Sequence, residues 1–219
     1  MDFRRQDNYR QKRPMIPKTS GLTGNKIILA SSSPRRKELL RQIGLRFEVI
    51  PSKIEESFRD GEQPVEYVLR LAEEKAIDVA NNLKCSWIIG ADTIVVLDGE
   101  ILGKPTKEDA CEMLRKLSGR EHKVITGFCV FETDTKACIK DYVETRVRFK
   151  ELSEEEITGY TKTEEPFDKA GGYAIQGMGS FMVKEIKGSY TNVVGLPVCE
   201  LVEVLQRLGA ITLFNDGAR

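Results

Sequence analysis

Histidine is nearly absent from this 219-residue chain: His122 stands alone. That excludes a His-rich zinc centre and an HExxH helix, each of which needs more than one histidine. A Ser-His-Asp triad would have to use His122, whose surroundings, Arg120-Glu121-His122-Lys123, read as a polar stretch ahead of a strand and argue against that role. Any metal should therefore be held by oxygen ligands, which points to Mg²⁺ or Mn²⁺. The five cysteines (Cys85, Cys111, Cys129, Cys138, Cys199) include no CxxC pair and are odd in number. Reduced thiols in a cytoplasmic protein are expected. No apolar run approaches the roughly 20 residues of a membrane-spanning helix. Net charge is absent too, with 34 Lys+Arg against 34 Asp+Glu. Broad adhesion to nucleic acid or membrane, which needs a basic excess, is not expected, although a local basic pocket remains open.

A hydrophobic content of 40% supports a sizeable core. Residues 1–25 are polar and basic (Arg4, Arg5, Arg10, Lys12, Arg13, Lys18) and lead into no apolar segment, so a disordered extension is expected rather than a secretory signal. The folded domain is expected over 26–212, with a tail at 213–219. Within it, patterning predicts strands at 27–30, 47–50, 87–97, 123–132, 139–149 and 181–186. Helices are predicted at 34–42, 64–81, 107–117 and 196–208, with a short one after the capping box Ser153-Glu154-Glu155-Glu156. Strand–helix units around a central hairpin imply an α/β fold with a mixed sheet.

The longest apolar run, Trp87-Ile88-Ile89-Gly90-Ala91-Asp92-Thr93-Ile94-Val95-Val96-Leu97, contains a carboxylate at its centre. An ionised Asp in a core strand is costly unless it is paired, binds metal or opens onto a cleft. Asp92 is thus a candidate catalytic or metal-binding acid; the alternative is a strand-end Asp held by backbone amides. Gly90 allows another group to approach the backbone closely.

Ala30-Ser31-Ser32-Ser33-Pro34-Arg35-Arg36 reads as a strand end, a serine loop and a helix start, with Ser33 as N-cap and Pro34 in the first turn. Arg35 and Arg36 there oppose the helix dipole, a conflict that a bound phosphate relieves. Otherwise they are two solvated arginines. Lys75 falls on the apolar stripe of its helix between Ala72 and Val79, so it meets an anion or snorkels to water. Lys104, in Leu102-Gly103-Lys104-Pro105, is returned towards Asp92 by a turn at Asp98-Gly99; alone, the segment reads as a polar loop. Asp168-Lys169-Ala170-Gly171-Gly172-Tyr173-Ala174-Ile175-Gln176-Gly177 matches neither the P-loop nor GxGxxG. Its glycines allow close approach to a planar ligand, and Gln176 can both donate to and accept from a base edge. The pair Glu55-Glu56 is either solvated or supplies a second metal ligand beside Asp92.

In series, these segments and Asn192-Val193-Val194-Gly195-Leu196-Pro197 resemble the Maf family of nucleoside triphosphate pyrophosphatases, over about 26–208. The resemblance implies an elongated mixed α/β fold of two lobes around a cleft, similar to inosine triphosphate pyrophosphatases and often dimeric. It implies hydrolysis of a nucleoside triphosphate to monophosphate and pyrophosphate with a divalent metal. Asp92 corresponds to the family's proton acceptor, and Glu56, Lys75 and Lys104 to residues lining the site. Ser31, Ser33 and Arg36 belong to the substrate-binding serine–arginine segment. Arg35, Thr93 and Gln176 correspond to positions associated with substrate choice, and that set resembles the branch acting on dTTP and UTP. A nucleotidyltransferase, or a nucleotide-binding regulator of cell division without essential turnover, would use the same basic pocket.

Overall fold

A computed structural model describes residues 25–81 and 83–213. The expected extension and tail lie outside these residues except for Asn25 and Leu213. Seven strands of the described residues form one mixed sheet in the order β2 (Glu48–Val49), β1 (Lys26–Leu29), β3 (Ser86–Leu97), β5 (Glu121–Glu132), β6 (Cys138–Phe149), β7 (Val183–Lys187), with β4 (Glu100–Leu102) also on β3. β1 is parallel to β2 and β3. The pairs β3–β5, β5–β6 and β6–β7 are antiparallel.

The two edges of β3 differ. One pairs with β5 from Trp87 to Val96. The other pairs with β1 only as far as Ile89 and with β4 only from Val95. From Gly90 to Ile94 that edge has no strand neighbour, and Asp92 sits in the middle of the gap. Open sheets bind ligands where neighbouring strands part in this way.

Alternation along β3 sends even-numbered residues to one face and odd-numbered ones to the other. The even face meets α2 (Pro64–Ala80), where Ile88 packs with Ala72, Ala76 and Val79, and Ile94 and Val96 pack with Tyr67, Val68 and Leu71. The odd face divides likewise. Trp87, Ile89 and Ala91 pack under Leu39 and Leu40 of α1 (Pro34–Gln42) and Leu201 and Leu205 of α6 (Val198–Arg207). Val95 and Leu97 pack under Leu114 and Leu117 of α3 (Ala110–Leu117) and Ile157 of α4 (Glu154–Thr161). At the level of Asp92 the odd face changes partner helices and the even face passes from the C-terminal to the N-terminal half of α2, which gives the two lobes.

Several boundaries move from the sequence reading. Strand 181–186 begins at Val183, because Phe181 and Met182 belong to a 3₁₀ turn. The closing helix starts at Val198 rather than 196, with Pro197 as its cap. A five-residue helix, α5 (Tyr190–Val194), precedes it, with Ser189 as N-cap; its apolar run carries no helical period to reveal it. Helix 107–117 begins only at Ala110.

His122 lies not before a strand but inside β5, and it is 2% exposed. Period-two alternation turns the ring inward between Glu121 and Lys123. Its Nε2 is 2.8 Å from Tyr173 Oη, and the ring stands edge-on to Phe149 and Tyr173. Burial lowers its pKa from 6.5 to about 4. The unfolded chain therefore takes up this proton below 6.5, whereas the folded protein refuses it until about 4. The resulting stability is present above 6.5 and is lost as pH falls towards 4, to a total of about 3 kcal/mol. Urea melts across this window should show wild type losing more stability than His122→Phe. A constant difference between the two proteins would refute the assignment.

Candidate active site

Asp92 is 6% exposed and, as an even-numbered β3 residue, faces α2. Opposite it, Lys75 projects from α2 and is 7% exposed. The lysine Nζ lies 2.6 Å from Asp92 Oδ1 and 2.7 Å from Glu56 Oε1. Lys104 Nζ lies 3.4 Å from Glu56 Oε2. The stripe position of Lys75 is thus resolved in favour of an anion partner over snorkelling. Burial alone would raise the pKa of Glu56, but Lys75 and Lys104 outweigh it and hold the carboxyl below its usual range. A carboxylate held so acidic is a weak base, which suits a ligand better than a proton acceptor.

Close packing makes this cluster possible. A Cβ on Gly90 would lie 2.0 Å from the Ala72 carbonyl oxygen and 3.0 Å from the Ala76 nitrogen. The backbone of α2 therefore rests against β3, with Lys75 between the two alanines. The preceding loop is tied down separately. Asp78 accepts from Ser52 Oγ at 2.9 Å and Lys53 N at 2.8 Å, and Arg70 NH2 donates to Ser57 O at 3.0 Å. These contacts carry Glu56 to Lys75.

Thr93 faces the opposite side of the sheet. Arg36 of α1 reaches it there: NH2 donates to Thr93 Oγ1 at 3.0 Å, NH1 to Ser31 Oγ at 3.2 Å, and Nε to Gly195 O at 2.7 Å. Burial lowers the pKa of this guanidinium, and the charges of Asp92 and Glu56 act against the shift. Ser33 Oγ caps α1 by accepting from Arg36 N at 3.4 Å. Arg35 is paired instead with Asp168 at 3.1 Å. Asp92 and Thr93 thus point to opposite faces, yet they line one cleft of about 520 Å³. The missing neighbour at the β3 edge allows this, because the cavity passes around the strand.

Ser31, Ser33, Arg35, Arg36, Glu56, Lys75, Asp92, Thr93, Lys104 and Gln176 all border this cleft. The sequence profile of the Maf-like protein family matches residues 26–208. The chain belongs to the Maf family. A Maf relative from Geotalea uraniireducens, named dTTP/UTP pyrophosphatase, is 55% identical over 186 residues, covering 84% of this chain and 96% of its own. One of the same name from Clostridioides difficile is 50% identical over 190 residues, covering 86% and 97%. Among solved structures, the Staphylococcus aureus Ham1 protein overlays 57% of this chain and 72% of its own, with a TM-score of 0.41 and 16% identity.

Other residues of this Maf chain shape the cleft without having stood out in the sequence. Glu165 Oε1 accepts from Tyr160 Oη at 3.0 Å and Gly179 N at 2.8 Å, and Oε2 accepts from Met178 N at 3.1 Å. Ala174 N donates to Tyr160 Oη at 3.2 Å. The segment bearing Gln176 is therefore clamped on both sides. Asn192 is fully buried and its side-chain amide donates to Val124 O at 3.0 Å and Thr145 Oγ1 at 2.9 Å, while its backbone carbonyl accepts from Thr126 Oγ1 at 3.1 Å. Thr126 Oγ1 in turn lies 2.9 Å from Thr93 Oγ1. Glu165 looks like any surface acid in the sequence, whereas Asn192 lies in a quoted motif but carried no chemical signal. Among the described residues no group of three or more His, Cys, Asp or Glu side chains forms a metal cage. Glu56 and Asp92 nevertheless converge on one cation, the Lys75 ammonium. A pair of carboxylates completed by phosphate oxygens suits Mg²⁺. No described helix is long and apolar enough to cross a membrane.

Proposed function

We propose that this chain hydrolyses dTTP and UTP to the nucleoside monophosphate and pyrophosphate. One observation carries the mechanism: a buried carboxylate, Asp92, opens into a cleft walled by arginines and lysines. Two close relatives bearing the name dTTP/UTP pyrophosphatase support the substrate class. In this reading Asp92 takes a proton from the water that attacks the α-phosphorus. Only Oδ1 is hydrogen-bonded by Lys75 among the described residues, which leaves Oδ2 for the water. Lys75, Lys104 and Arg35 neutralise the pyrophosphate as it leaves. Arg36 is held by three protein acceptors and fixes Thr93 and the serine loop against the substrate. Glu56 and Asp92 would hold Mg²⁺ or Mn²⁺, which when bound lowers the pKa of water and screens phosphate charge.

Released pyrophosphate from a nucleotide panel tests this proposal. dTTP and UTP should exceed ATP, GTP and 7-methyl-GTP in kcat/KM, by more than about tenfold if unpaired polar groups are left by the wrong base. Gln176 can meet a pyrimidine carbonyl and N3–H together. Gln176→Glu loses the donor and should lower pyrimidine turnover selectively. A higher kcat/KM for 7-methyl-GTP than for dTTP would overturn the substrate assignment and leave hydrolysis standing.

Metal dependence is tested separately. Excess EDTA should abolish turnover, and Mg²⁺ or Mn²⁺ should restore it. Glu56→Gln should need more metal for half-maximal rate. Undiminished activity in EDTA contradicts the proposed ligand pair.

A further inference from the structure

Cys129 and Cys138 lie on neighbouring strands, with Cys129 opposite Lys140 and Cys138 opposite Phe131. They are diagonal neighbours on the face covered by α2, and their Sγ atoms are 3.2 Å apart. Cys129 is sealed in the core with Ala72 and Ala76, whereas Cys138 is half-buried at its border. Cys138 Sγ also lies 3.6 Å from Glu73 Oε1, and Glu73 pairs with Lys140 at 2.6 Å. None of the cleft-lining residues belongs to this cluster. Of the other cysteines, Cys85 and Cys199 are exposed, and Cys111 contacts Thr161.

We propose that Cys129 and Cys138 form an oxidisable dithiol, a second chemical site in which a hydroperoxide converts the pair to a reversible disulfide beneath α2. A disulfide needs its sulfurs about 2.05 Å apart, so the two must close by roughly 1 Å. Cys138 reacts first because it alone of the two borders solvent. The hydrogen bond from Cys129 holds the Cys138 thiol below its usual pKa, and Lys140 assists, against the opposing pull of burial and the Glu73 carboxylate. That favours the thiolate, the reactive form. Attack on hydrogen peroxide forms an S–O bond and breaks the O–O bond; the hydroxide that leaves is protonated to water. Cys129 then attacks the Cys138 sulfenic acid, forming the S–S bond and releasing the oxygen as a second water. Two thiols lose two electrons and one peroxide becomes two waters. Glu73, the partner of Cys138, lies two positions before Lys75, so the new bond forms under the helix that carries the site lysine.

The test treats the full chain with hydrogen peroxide, quenches in acid, alkylates under denaturing conditions and digests with trypsin. Cleavage after Lys123, Lys136 and Lys140 separates the two cysteines. The expected product is a disulfide joining peptides 124–136 and 137–140, which dithiothreitol reverses. Cys129→Ser should stop at the sulfenic acid and give a dimedone adduct on Cys138. Cys138→Ser should leave Cys129 as a free thiol. Recovery of Cys129 and Cys138 both alkylated while Cys85 or Cys199 is oxidised would overturn the proposal. So would a dimedone adduct of Cys129→Ser located only on the exposed cysteines.

Discussion

Asp92→Asn is expected to lower turnover of dTTP by about 100- to 10,000-fold, the range for losing a positioned general base. Asparagine keeps the shape of the side chain and its place on β3. It removes the charge that faces Lys75 at 2.6 Å, but Glu56 remains 2.7 Å from the same ammonium, so the lysine is not stranded. The fold should therefore survive, and a thermal melt alongside the pyrophosphate assay checks this. The mutant should not be rescued by added metal, in contrast to Glu56→Gln. Near-wild-type turnover of a folded mutant would remove Asp92 from the chemistry.

Gly90→Ala should be the least tolerated added methyl among the described glycines. Its Cβ would sit 2.0 Å from the Ala72 carbonyl oxygen, and backbone has no rotamer with which to escape. α2 must move off β3 or the chain must unfold. Overpacking costs about 1–3 kcal/mol, occasionally more, and a backbone clash belongs at or above the upper end. Any protein that still folds carries Lys75 on a displaced helix, so its turnover should fall as well. Gly159→Ala provides the control, since nothing lies within 4 Å of the added methyl on α4. Urea melts should place it at or above wild type. Equal stability of the two variants would mean that α2 does not press on Gly90.

The fold was legible where pattern and period agree. The run around Asp92 announced a core strand, the stripe through Lys75 turned it inward, and the serine–arginine segment announced a capped helix start. What the sequence left open was the partner. Lys75 had an even choice between anion and water until β3 put Asp92 across from it. Arg35 and Arg36 read as one phosphate-binding pair, yet one is tied to Asp168 and the other is buried against Thr93 and Gly195. Neighbouring residues on a helix face different directions, and only the packed neighbours decide what each meets. The same limit hid His122, because four polar residues in a row do not reveal that alternation will bury one of them. Asp92 and Thr93 are adjacent in the sequence. On a strand they must diverge, and only the interrupted edge of β3 lets them share a cavity.

The cleft carries its own electrical character within a chain of zero net charge. Five cations (Arg35, Arg36, Lys75, Lys104, Lys169) and three carboxylates (Glu56, Asp92, Asp168) line it, an excess of two positive charges. A free triphosphate carries roughly four negative charges near neutral pH. Chelated to one divalent cation it carries about two. The pocket is therefore balanced for the chelate and underpowered for the bare nucleotide. The attraction is also short in range. With no global field behind it, a nucleotide feels the pull only within about 8 Å of the mouth at physiological salt. Such a protein gathers its ligand by a local electrostatic funnel rather than by steering from afar.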